Sequence, residues 1–225
     1  MMTPYLSDNI VVVFDLDDTL YKEIEYLYSA YREIADFLLE RKQVSRDPYP
    51  KMVEWYHQKK NVFQSLNDYF RLEIPIATFL SIYRSHIPDI VLDPPTEQTL
   101  SELCRNECIL GIISDGRSVA QRNKIAALGL DRYVQKECII ISEEFGSEKP
   151  SEMNYLAIQR QYPEKRFFYV GDNPKKDFLA PNALGWETIC LLDDGKNIHK
   201  QDFSLPSQFL PHKTVNTINQ ILRYI

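Results

Sequence analysis

The stretch Ile10-Val11-Val12-Val13-Phe14-Asp15-Leu16-Asp17-Asp18-Thr19-Leu20 decides how the rest of the chain is read. Five consecutive apolar residues, four of them β-branched, suit an extended segment. They show no polar alternation, so both faces of the strand must be covered, as in a parallel sheet. The run ends on two carboxylates two residues apart. Carboxylates beside a buried strand are costly unless a cation or hydrogen-bond donors compensate them. Two readings fit that spacing. One is a strand-end turn with an aspartate capping the next helix. The other is a reactive pair, in which an ionised carboxylate attacks phosphorus and a partly protonated one donates to the leaving oxygen. On the second reading a cation and a lysine keep Asp15 ionised, while burial raises the pKa of Asp17. The Thr19 hydroxyl would hold the turn.

Further apolar, β-branched runs occur at 109–114, 138–141, 167–170 and 188–192. Helical patterns lie between or after them, at 119–128 (ending at Gly129), 153–160 (after Pro150-Ser151), 175–184 (ending at Gly185) and 215–224. Strand alternating with helix predicts an α/β fold, a Rossmann-like doubly wound parallel sheet. Residues 21–95 break the alternation. Ile24, Leu27, Tyr28, Tyr31, Ile34, Ala35 and Leu38 recur at helical spacing, and shorter helical pieces follow between prolines. The division expected is a core of residues 1–20 and 96–225 with an inserted all-helical domain of residues 21–95.

The chain has 225 residues and a formal net charge of −6. That charge argues against a nucleic-acid-binding face, which needs excess Lys and Arg. It is compatible with a small phosphorylated partner. Residues 1–8 show no basic region followed by an apolar run, so no leader is expected. No apolar stretch approaches the roughly 18 to 20 residues of a membrane span. The expectation is a cytoplasmic protein, monomer or homodimer. Cys104, Cys108, Cys138 and Cys190 read as small, reduced hydrophobes.

Three more polar clusters fall at or beyond strand C-terminal ends, where open parallel sheets bind ligands. Ser114-Asp115-Gly116 is either a plain turn or a phosphate seat of hydroxyl and backbone N–H groups. Lys149 is either a solvated loop residue or a countercharge to the two carboxylates and a phosphate. In Gly171-Asp172-Asn173-Pro174-Lys175-Lys176-Asp177, Asp172 has the position of a Mg²⁺ ligand. Asp177 fits either that site or a first helical turn.

These clusters, in this order, resemble the haloacid dehalogenase-like (HAD) hydrolases. The matching pieces are Asp15-Leu16-Asp17-Asp18-Thr19-Leu20, Ile113-Ser114-Asp115-Gly116, Lys149-Pro150 and Gly171-Asp172-Asn173-Pro174-Lys175-Lys176-Asp177. The helical insertion is similar to the family's C1-type cap. The resemblance implies a phosphatase that forms an aspartyl-phosphate on Asp15. Asp17 would protonate the leaving group and then activate water. Mg²⁺ would be held by Asp15, the backbone carbonyl of Asp17, and Asp172. Ser114 and the N–H of Asp115 would bind the phosphoryl group, Lys149 would neutralise charge, and Asp177 would anchor Lys149 or the metal waters. Thr19 and Gly116 would support the turns. Dehalogenase members lack an acid at the position of Asp17, so its presence points to phosphoryl chemistry. A phosphomutase, or a binder of phosphometabolites without turnover, remains an alternative.

Tyr21, Arg84, His86 and Arg117 are the candidates for contacting the rest of the substrate, with hinge or surface roles as the other reading. Sugar phosphates or nucleotides are the substrate types that the resemblance suggests. The segment 193–199 is expected to border the site and carries no assigned chemistry.

Overall fold

A computed structural model describes residues 10–225. The N-terminal segment read for a leader lies outside the described residues. Six strands form one sheet: β1 (Ile10–Phe14), β2 (Ile109–Ser114), β3 (Ile139–Ile141), β4 (Arg166–Gly171), β5 (Glu187–Leu191) and β6 (Lys213–Val215). Their order is β3-β2-β1-β4-β5-β6, and every neighbouring pair is parallel.

β1 lies between β2 and β4, with Val12 opposite Leu110 on one side and Phe168 on the other. All five of its residues are buried. Ile10, Val12 and Phe14 pack with Leu110, Ile112, Phe168 and Val170 on one face of the sheet. Val11 and Val13 pack with Ile113, Tyr155, Tyr169 and Trp186 on the other. Burial on both faces explains the uninterrupted apolar run.

Between β1 and β2 come α1 (Glu23–Glu40), α2 (Tyr49–His57), α3 (Val62–Phe70), α4 (Ile76–Ser85) and α5 (Pro94–Arg105). The buried face of α1 is Tyr26, Leu27, Ala30, Tyr31, Ile34, Ala35 and Leu38, at three- and four-residue spacing. Leu27, Tyr31, Ile34 and Leu38 share a separate apolar cluster with Met52, Trp55, Val62, Leu66 and Phe79. Each such side chain contributes about 1.5–3 kcal/mol by burial. The first four helices therefore carry a core of their own. Tyr26 donates to the Tyr83 carbonyl at 2.7 Å, joining α1 to the end of α4.

Later elements are α6 (Ser118–Ala127), α7 (Ser142–Phe145), α8 (Glu152–Gln159), α9 (Pro174–Asp177) and α10 (Leu179–Ala183). Two expected helices are corrected, and one helix is new. The single helix expected at 175–184 is two short helices that meet at Phe178. Pro181 has no N–H to give the carbonyl of Asp177, and its ring would crowd that carbonyl. The helix expected at 215–224 is instead the end of β6 and a 3₁₀ turn, Ile218–Arg223. Its buried residues, Ile218 and Ile221, are three apart, the period of a 3₁₀ helix. The helix α5 was not expected. It starts at Pro94-Pro95, and Asp93 caps it by accepting from the Thr96 N–H at 2.8 Å. Among the described residues no helix is long and apolar enough to cross a membrane.

Candidate active site

Asp15 is the first residue beyond β1. Its backbone N–H donates to the Val170 carbonyl of β4 at 2.8 Å, so the sheet register fixes its position. Asp172 is the first residue beyond β4. The two carboxylates therefore emerge side by side from the two central strands.

Lys149 reaches them from the loop after α7 and is 6% exposed. Its ammonium lies 2.8 Å from Asp15 Oδ1 and 2.7 Å from Asp177 Oδ1. It also donates to the Tyr169 hydroxyl at 3.2 Å. Asp177 is completely buried and fully occupied. Its Oδ1 accepts from Lys149 and from Tyr169 (3.1 Å), and its Oδ2 accepts from the Asn173 N–H at 2.8 Å. Gly171 makes room for it: a Cβ there would sit 2.6 Å from Asp177 Oδ2. That close approach requires glycine.

Oxygens of Asp15, Asp172 and Asp177 all lie within 4.8 Å of one another. Three buried carboxylates face one lysine. Burial pushes Asp15 up to about 7, with the Lys149 charge opposing and the Asp177 charge reinforcing that rise. Burial also pushes Asp172 up to about 9, helped by the charges of Asp177 and Asp15. Burial works to discharge Lys149, but Asp15 and Asp177 outweigh it and hold its pKa well above the usual range. Asp15 Oδ2 and Asp172 Oδ1 accept no hydrogen bond from the described residues. A divalent cation fits this set: two free carboxylate oxygens in a pocket with surplus negative charge.

Asp17 contradicts the expected acidity. Burial does act to raise its pKa, yet Lys124 overrides it, together with hydrogen bonds from Lys124, Tyr21 and Gln121, and the pKa is lowered. Lys124, on α6, donates to Asp17 Oδ1 at 2.7 Å and to Oδ2 at 3.0 Å. Gln121, one turn earlier, donates to Oδ2 at 2.9 Å, and Tyr21 donates to Oδ1. Lys124 and Gln121 were not anticipated. The only signal was their three-residue spacing on the helix that follows Ser114-Asp115-Gly116.

Thr19 does not hold the turn as expected. Its buried hydroxyl has no partner among the described residues. Asp18 holds it instead, from a left-handed backbone conformation (φ 55°). Its Oδ1 accepts from the Glu23 N–H at 2.9 Å, and its Oδ2 accepts from the Ile198 N–H at 2.9 Å.

Ser114, at the end of β2, is 1% exposed and accepts from Gln121. It stands behind the cleft wall. Asp115 does line the cleft, accepting from the Lys149 N–H at 3.0 Å and pairing with Lys176 at 3.1 Å. Gly116 turns the chain at φ 148°, and its N–H donates to Ser142.

The cleft above these groups encloses about 330 Å³ and is lined by Asp15, Asp17, Glu23, Lys149, Asp172 and His199, among others. Tyr21, Arg84, His86 and Arg117 are not in its wall. Tyr21 meets the site only through Asp17. Arg84 is exposed near the end of α4. His86 is buried beside Tyr26 and bonds the Tyr83 carbonyl at 2.9 Å. Arg117 turns outward to Glu143 at 2.5 Å. Sequence spacing placed these residues near the cleft, but their side chains follow closer partners. Glu23 and His199 take that ground.

A sequence profile described as haloacid dehalogenase-like hydrolase matches residues 12–191. Glyceraldehyde 3-phosphate phosphatase from Methanocaldococcus jannaschii is 28% identical over 195 residues, which are 80% of this chain and 84% of that protein. Pyrimidine 5'-nucleotidase YjjG from Escherichia coli is 26% identical over 154 residues, 67% of this chain and 64% of that one. In fold, the chain is similar to YfnB from Bacillus subtilis, solved bound to magnesium. The TM-score is 0.65 at 16% identity, covering 96% of this chain and 98% of that one.

Proposed function

The chain belongs to the haloacid dehalogenase-like hydrolases, and from that membership we propose a Mg²⁺-dependent phosphatase that hydrolyses a small phosphomonoester through an aspartyl-phosphate on Asp15. One observation carries the reading: buried Lys149 bridges Asp15 and Asp177 beside Asp172, at the ends of the two central strands. Relatives named for a triose phosphate and for pyrimidine nucleotides support a sugar phosphate or nucleotide as substrate. The helices of residues 21–95 act as a cap over the cleft.

Asp15 and Asp172, with the backbone carbonyl of Asp17, would hold the cation. When bound, it supplies positive charge that lets an anionic nucleophile approach an anionic ester. A carboxylate oxygen of Asp15 attacks phosphorus, and the bond from phosphorus to the leaving oxygen breaks. Lys149 balances charge on Asp15 and the phosphoryl oxygens. The Asp115 N–H seats that group, Ser114 joins it only if its hydroxyl turns from Gln121 toward the cleft, and Asp177 anchors Lys149. Asp17 gives its proton to the leaving oxygen, then takes one from the water that cleaves the aspartyl-phosphate. An Asp17 gripped by Lys124 is ionised and has no proton to give. The acid step therefore requires that grip to loosen as substrate enters, so that Asp17 takes up a proton from solvent before giving it to the leaving oxygen.

Turnover of p-nitrophenyl phosphate with Mg²⁺ and with EDTA tests this reading. Loss in EDTA and in Asp15→Asn is expected, and full activity in either sinks the mechanism. A panel of phosphorylated sugars and nucleotides, ranked by kcat/KM, then identifies the substrate. Isomerisation of a sugar phosphate without phosphate release would mark a mutase instead.

A further inference from the structure

The segment from Asp193 to Gln201 leaves β5 and folds back over the acidic end of the cleft. Asp193 Oδ1 accepts from three successive backbone N–H groups, those of Gly195 (2.7 Å), Lys196 (3.0 Å) and Asn197 (3.0 Å). This tight turn aims Asn197 inward. Asn197 Nδ2 donates to Asp172 Oδ2 at 2.9 Å, and Lys22 Nζ donates to Asn197 Oδ1 at 3.0 Å. The two neighbours fix the amide's orientation. A lysine ammonium only donates, so the amide oxygen must face Lys22 and the nitrogen is left to face Asp172. Gln201 Nε2 adds a bond to the Asp172 carbonyl at 2.6 Å and one to the Leu191 carbonyl at 2.7 Å. Lys22 also pairs with Asp194 at 2.9 Å, and the Ile198 N–H donates to Asp18.

We propose that Asn197 is a positioning residue for the cation site: it holds Asp172 Oδ2 so that Oδ1 is presented to the metal, and it ties that geometry to Lys22 at the root of the helical cap. The inference rests on the metal role of Asp172 proposed above. A donor on one oxygen of a carboxylate ligand restricts its rotation and favours binding through the other oxygen. An amide suits the position, since a side chain with both a donor and an acceptor can bridge an ammonium and a carboxylate. Lys22 immediately precedes α1, so the same amide links the metal ligand to the point where the chain enters the cap.

The test is Mn²⁺ binding to the full chain, followed through the electron paramagnetic resonance signal of the free ion, with melting in EDTA as the control for folding. Asn197→Leu is expected to weaken Mn²⁺ binding about tenfold or more, the usual scale for an outer partner of a ligand. Lys22→Met weakens it less, and adds little when combined with Asn197→Leu because both act through one amide. Asn197→Gln keeps both groups and falls between Asn197→Leu and the wild type. An Asn197→Leu affinity within twofold of wild type overturns the proposal, as does a lowered melting temperature with unchanged affinity. If Asn197→Leu does not fold, Lys22→Met carries the same test. Asp172→Asn separates the two levels. Wild-type binding that survives Asp172→Asn overturns the metal assignment and this inference together. Binding lost in Asp172→Asn but intact in Asn197→Leu overturns this inference alone.

Discussion

Asp15 and Asp17 share one turn, and each faces a buried lysine, yet their acidities move in opposite directions. Lys149 is divided between Asp15 and Asp177, with Asp172 also close by. Lys124 pairs with Asp17, where donors from Tyr21 and Gln121 join it, and its charge also acts on Glu23. The balance of charge around each carboxylate decides the sign, and burial alone does not. The Asp15 end of the cleft lacks positive charge and suits a cation. The Asp17 end is already compensated by the protein itself.

The largest expected effect tests the first half of that contrast. Asp15→Asn removes the nucleophile, and phosphate release should fall about 10⁴-fold or more. Lys149→Met removes the divided lysine and should cost about 10²-fold or more in kcat. Comparable activity in either variant would erase the distinction between the two ends.

Lys124→Met tests the second half. It leaves a buried carboxylate without its countercharge, and breaking such a pair costs about 3 kcal/mol at neutral pH. The sign follows from the lowered pKa of Asp17. A depressed carboxylate contributes stability above its unfolded pKa and loses it as pH falls through the folded value. The gap between wild type and Lys124→Met in urea should therefore persist at neutral pH and close only in acid. A gap independent of pH would mean that Lys124 acts by packing, for instance through its contact 4.3 Å from the Tyr26 ring.

Removing the cation sharpens the contrast further. Asp15 and Asp172 are raised to about 7 and about 9, so the folded chain holds more protons than the unfolded one between about pH 4 and pH 9. Stability in EDTA should fall as pH rises through that window. Mg²⁺ binds the deprotonated carboxylates, so its effect on the melting temperature should grow with pH. A constant Mg²⁺ effect across the window would contradict the assignment. The smallest effect belongs to Arg117→Ala. Its ion pair with Glu143 is exposed and stands outside the cleft wall, so kcat/KM should change by less than about twofold.

The sequence made the Asp15 end readable because its parts come from strand ends, where an apolar run stops on a charge. Lys149 and Asp172 needed only their position after such runs. The Asp17 end was largely hidden because two of its partners, Lys124 and Gln121, sit on a helix. Lys124 and Gln121 occupy an ordinary helical stretch, and Asn197 lies in the loop between β5 and β6. That strand, Lys213-Thr214-Val215, has one apolar residue and adjoins a run that reads equally well as helix. The start of α5 was missed because Pro94 and Pro95 read as breaks, although Asp93-Pro94-Pro95 is a cap followed by prolines suited to a first turn. The acidity of Asp17 was misjudged because a partner over a hundred residues away set it.

The bond from the Asp15 N–H to the Val170 carbonyl has a consequence for counting molecules. Asp15 and Asp172 are spaced by a β-ladder, and a ladder slips by whole residues. A slip of one would turn Asp15 to the opposite face and dismantle the site. Molecules with a half-strength version of this pair should not accumulate. In a preparation titrated with a phosphate-mimicking inhibitor, the fraction of competent sites should equal the fraction of chains that are folded.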